Sequence, residues 1–241
     1  MRTIGRMEGR PPNMLPNEIT YEEWISYVFD HPVLDPAWWW QEEDSEHYQF
    51  WDNDANPPLT LAFLTRLFEE PAELIGRFSR AQIDQGLSYL VDNSCSSTMY
   101  VLLDRTLPWE NRRRCFAGMA SLYENLMAPV YRDDLGHLQI GPEPDHPTYG
   151  CYMWWDVIPL YAGMEHPDQE GINQVVLEVF EKTLALKSEA CLESVLHGLG
   201  HWHLYLSMRT EPIVRRFLRE RTDISWQLCR YAENAAMGCV Q

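Results

Sequence analysis

After Pro167, the residues Ile172, Val175, Val176, Val179, Phe180, Thr183 and Leu184 recur at i, i+3, i+4, i+7, i+8, i+11 and i+12. Only a helix turning every 3.6 residues brings all of them to one side, so this stretch must bury a face against another element. The same logic runs along most of the chain. Thr20-Tyr-Glu-Glu23 and Ser79-Arg-Ala-Gln82 are capping boxes, in which a hydroxyl and the third helical side chain satisfy free backbone donors reciprocally. The first predicts a short helix with Trp24, Tyr27 and Val28 on one face, ending near His31-Pro32. The second predicts a helix with Ile83, Leu87, Leu90 and Val91 inward. Leu59 to Glu70 reads as helix stopped by Pro71, and further helices are expected over 96–107, from Pro108 to about Pro129, and over 149–160. Ser188 caps one with Leu192, Val195, Leu196 and Leu199 inward, Thr210-Glu-Pro opens another through Arg221, and a last one runs from about Ser225 to Met237. Alternating β-branched runs are nearly absent, which argues against sheet.

Helices joined by turns of a few residues pack antiparallel to their neighbours. The expected fold is all-α: an irregular α-α superhelix of antiparallel helix pairs, HEAT- or armadillo-like, although no fixed period survives across both halves. The expected organisation is a mobile tail over 1–17, an acidic Trp-rich segment over 18–58 and a helical-repeat domain over 59–241. Gly136, Gly141, Pro142, Pro144 and Pro147 mark 133–148 as a long loop or a seam.

The 36 acidic and 19 basic residues leave a net charge of −17. No Lys or Arg falls between Arg10 and Arg66, a stretch holding Glu42, Glu43, Asp44, Asp52 and Asp54. Such a field repels phosphate backbones and anionic membranes and attracts cationic surfaces, so neither nucleic acid nor membrane is an expected partner. Six scattered cysteines without a CxxC pair suit free thiols in a reducing cytoplasm. No apolar run approaches the length that spans a bilayer.

Cys151-Tyr-Met-Trp-Trp-Asp156, Leu196-His-Gly-Leu-Gly-His-Trp202 and Phe78-Ser-Arg-Ala-Gln-Ile-Asp-Gln-Gly-Leu87 are the most distinctive segments. In these the chain resembles a family of uncharacterised bacterial α-helical proteins, HEAT-like in build, over roughly residues 75–238. The resemblance implies the helical fold and carries over no catalytic residue. Proteins of this build resemble immunity or accessory proteins encoded beside bacterial toxins.

On a helix, Glu193, His197 and His201 form one stripe, and two imidazoles one turn apart with a carboxylate are suitable zinc ligands. The competing expectation is structural: Gly198 and Gly200 allow a close helix crossing, with the histidines bonding nearby backbone carbonyls. No HExxH or outlying Cys/His pattern supports a metal, so no metal or cofactor is expected. His31, His146 and His166 each precede proline and read as turn residues. Cys151 and Cys191 read as buried thiols, not nucleophiles. Gly-x-Ser-x-Gly elbows and Gly-rich phosphate cradles are absent.

Trp154 reads as core, with Asp156 bonding an indole or capping a helix; Trp155 reads equally as core or as an exposed anchor. Trp38-Trp39-Trp40 cannot all face one core, so at least one should be exposed or cover a groove. Aromatic anchors rimmed by carboxylates suit a basic, partly apolar surface; alternatively the segment folds back as a lid. The resulting expectation is a non-enzymatic, cytoplasmic protein-binding module, of immunity or adaptor type, that takes a basic partner such as a toxin. Its candidate binding residues are Trp39, Trp40, Glu42, Glu43, Asp44, Asp52, Asp54, Trp155, Asp156 and His201. The alternatives are a metal-dependent enzyme centred on His197 and His201, or a structural subunit of a larger assembly.

Overall fold

The computed structural model describes residues 19–40, 56–138 and 149–240. Among them the chain is mostly helical and contains no strand; the one isolated bridge joins Ile75 and Phe78. Both capping boxes form as expected. Thr20 and Glu23 start α1 (Tyr21–Phe29), Asn56 caps α2 (Pro57–Glu69), and Ser79 with Gln82 starts α3 (Arg80–Val91). α4 (Trp109–Leu122) runs through a π turn, Tyr123–Met127, into α5 (Ala128–Tyr131). Pro129 lacks the N–H that an α-helix would aim at residue 125, which is a physical reason for the ladder to widen there.

Three expected elements differ. The helix expected over 96–107 is a 3-10 turn, Thr98–Leu103. Ser96 Oγ accepts from the Thr98 backbone N–H at 3.2 Å, so a side chain competes with the ladder at the start of the segment. Residues 149–160 form two single turns, α6 (Tyr149–Tyr152) and α7 (Trp154–Val157), broken at Met153. The helix expected to open at Thr210 belongs to α9 (Glu189–Glu220), whose kink lies earlier, at Leu206 (φ −128°, ψ 36°). Pro212 cannot donate to the Met208 carbonyl, and Thr210 Oγ1 donates to the Leu206 carbonyl at 3.2 Å.

The regular apolar face lies on α8 (Gln169–Leu184), where Ile172, Val175, Val176, Val179, Phe180, Thr183 and Leu184 are all buried. Helices pack as a row: α2 on α4, α4 on α8, α8 on α9, and α9 on α10 (Trp226–Ala235). The turns α6 and α7 lie against α9, and α1 packs on α3. A single buried apolar cluster runs from Tyr21 and Trp38 to Val240, so α1 and Trp38 share their core with the helices that follow.

Buried polar groups stitch this row together. Arg112, 2% exposed, donates to the Leu102 and Leu107 carbonyls and pairs with Asp168 at the head of α8. Asp84 accepts from Tyr131 Oη at 2.8 Å and from the Gly150 N–H at 2.9 Å, tying α3 to α5 and α6. No helix among the described residues is long and apolar enough to cross a membrane.

Candidate functional site

Gly198 sits mid-helix in α9 where a Cβ would meet the Trp155 ring at 2.8 Å. The missing side chain lets the indole lie directly on the helix, stacked parallel to Tyr123 and edge-on to Phe180. Trp155 is therefore 2% exposed, and its reading as an exposed anchor is corrected: it is core, like Trp154. Seating Trp155 places the next residue, Asp156, against α9. Asp156 faces His201, Oδ1 to Nε2 at 3.4 Å, in place of the indole bond or helix cap expected of it, and its side chain stays partly exposed.

His201 Nε2 lies 3.0 Å from His197 Nε2. Donor atoms of Asp156, His197 and His201 all fall within 4.8 Å of one another, so these three could hold a metal ion. His197 is buried, whereas the Asp156 and His201 side chains keep 38% and 40% of their surface. His197 Nδ1 lies 2.6 Å from the Tyr231 hydroxyl, which in turn bonds Tyr152. With the Tyr231 proton directed to Tyr152, its oxygen accepts from Nδ1–H, which leaves Nε2 of His197 as a lone pair facing His201. Burial, aided by the neighbouring His201, lowers the His197 imidazole to about 4 and keeps it neutral near pH 7.

Glu193, the carboxylate expected on this stripe, turns away. It accepts the backbone N–H groups of Gly136, His137 and Leu138 at 2.6, 3.1 and 2.8 Å. Asp156, 45 residues from His201 in sequence, stands in its place. His203 bonds Thr210, not a backbone carbonyl across a crossing, and Gly200 admits Val240. His166 receives Asp168 N–H on Nδ1 and bonds the Leu103 carbonyl through Nε2, the turn role expected of it. Cys151 and Cys191 are buried, and burial pushes the Cys151 thiol well up, away from nucleophilic use.

Trp38–Trp40 forms a 3-10 turn that divides its rings as expected. Trp38 is buried and stacks on His31 at 3.7 Å, Trp39 is half-buried against Tyr89, and Trp40 is 53% exposed. Glu42, Glu43, Asp44, Asp52 and Asp54 lie outside the described residues.

One surface feature went unread in the sequence. Leu204, Tyr205 and Met208 are 78%, 54% and 88% exposed, and Tyr161, 52% exposed, lies against Tyr205 with ring centroids 5.9 Å apart. The signal was present: Leu204 falls at i+3 from His201, on the side of α9 away from the buried stripe of Leu192, Val195, Leu199 and Trp202, and Tyr205 and Met208 follow it as further large apolar residues. No known protein family, curated protein or solved structure matches the chain.

Proposed function

We propose that this protein is a non-enzymatic protein-binding module of immunity or adaptor type, a HEAT-like superhelix of antiparallel helix pairs that takes a basic protein partner in the cytoplasm. The observation that carries this reading is the exposure of Leu204, Tyr205 and Met208 around the kink of α9, with Tyr161 against Tyr205. A soluble chain seldom leaves neighbouring large apolar side chains this open unless something covers them, because each forfeits roughly 1.5–3 kcal/mol of burial. The net charge of −17 supports a cationic partner and disfavours nucleic acid. Exposed Trp40 leads directly into Glu42, Glu43 and Asp44, a second acidic and aromatic element suited to the same partner.

The test is capture from the native host with wild type and with a Leu204→Lys, Met208→Lys double variant. A basic protein retained at stoichiometric level by wild type, and lost by the variant, is expected. Equal retention by both chains removes these residues from the interface, and no retained basic protein removes the reading.

A further inference from the structure

We infer that Asp156, His197 and His201 form a site for one divalent transition-metal ion of zinc type. This goes beyond the docking reading and stands or falls without it. The donors come from two elements locked together by the Trp155–Gly198 contact: α7 supplies the carboxylate, and one face of α9 supplies two imidazoles a turn apart. The separations are 3.0 Å between the two Nε2 atoms and 3.4 Å from His201 Nε2 to Asp156 Oδ1. Tetrahedral zinc, with bonds of about 2.0–2.2 Å, holds its ligand atoms roughly 3.3–3.6 Å apart, and the two separations above lie near that range. The third pair, His197 with Asp156, lies within 4.8 Å and closes by a small side-chain shift when the ion binds. A proton on one imidazole lies on a line to one neighbour, whereas a cation among the three serves all of them at once.

The donor set also selects the ion. Two imidazole nitrogens with one carboxylate suit zinc, cobalt or another first-row transition ion, whereas calcium and magnesium seek all-oxygen shells. A ligating histidine commonly gives its other N–H to a fixed acceptor, and Tyr231 is that acceptor for His197. Three protein ligands with Asp156 and His201 partly open to solvent leave a further position for water or an incoming group. That position borders the face of α9 that continues into Leu204 and Tyr205.

The test uses the full chain, stripped with a chelator and dialysed. It is titrated with Co²⁺, read by visible absorption, and with Zn²⁺, read by calorimetry. One equivalent per chain is expected, with Zn²⁺ displacing Co²⁺. His201→Ala and Asp156→Asn alter partly exposed side chains and should keep the helical circular dichroism of wild type. Each is expected to weaken binding by more than roughly 100-fold, and Tyr231→Phe by roughly 10-fold, the range for an outer-shell partner. Wild type that takes up neither ion at micromolar concentration overturns the proposal. So does binding that persists unchanged in both folded variants.

Discussion

A methyl group at Gly198 would approach the Trp155 ring to within 2.8 Å, and the atoms it would strike belong to a packed indole. Gly→Ala in a helix ordinarily stabilises by about 1 kcal/mol. Here the sign should reverse, because the added carbon overpacks a closed contact at a cost of roughly 1–3 kcal/mol. Urea unfolding is expected to give Gly198→Ala a lower midpoint than wild type; a higher midpoint would mean that Trp155 is not seated on α9. Asp84 offers a second test at this scale. Burial raises its carboxyl to about 6, against the pull of hydrogen bonds from Tyr131 and Gly150 and of the Arg80 charge. The folded value lies above the ordinary carboxylate value, so its contribution is fully present below about pH 4. It is lost as pH rises through about 6, at up to about 1.4 kcal/mol per unit. Asp84→Asn keeps an acceptor for both donors and should flatten this slope; identical pH profiles of stability for the two chains would contradict the assignment. The roles of single residues were only partly legible. Gly198 was recognisable as a site of close approach, but its occupant was not, because Trp155 lies 43 residues away in sequence.

Helices whose signals are local were legible, and those shaped by distant partners were not. Thr20, Ser79 and Ser188 mark helix starts because a cap needs only its own first turn. The segment 96–107 failed this logic since Ser96 redirects the backbone at its head, and the kink of α9 sits at Leu206, whose carbonyl takes the Thr210 hydroxyl, and not at the Thr210-Glu-Pro signal itself. The stripe on α8 needed no partner to be recognised, and Val179 at its centre is 1% exposed. Val179→Asp would bury an unpaired carboxylate at a cost of several kcal/mol, comparable to the roughly 5–15 kcal/mol that holds a domain together. Loss of the cooperative thermal transition is expected. A melt like that of wild type would show that α8 turns a different face to α4 and α9.

At the scale of the whole molecule, the all-α architecture follows from periodicity, while the constellation of Asp156, His197 and His201 follows from tertiary packing that periodicity cannot see. Helical spacing put Glu193 on the histidine stripe, yet three backbone N–H groups of residues 136–138 claim that carboxylate, and α7 delivers another. The charge of −17 acts over the whole surface, beyond any single contact. Exposed charges interact across roughly 8 Å at physiological ionic strength, so they chiefly accelerate encounter, whereas apolar anchors chiefly slow release. The most direct measurement of the proposed docking is therefore the binding kinetics, at two salt concentrations, of whichever basic protein the capture experiment retains. Wild type is compared with charge reversal at Glu42, Glu43 and Asp44, with Trp40→Ala, and with the Leu204→Lys, Met208→Lys variant. The expected result is an association rate that falls with salt and with reversal of the acids, and a dissociation rate that rises when Trp40 or the exposed α9 residues are altered. Rates indifferent to salt, to the acids and to both apolar elements would contradict the proposed binding surface.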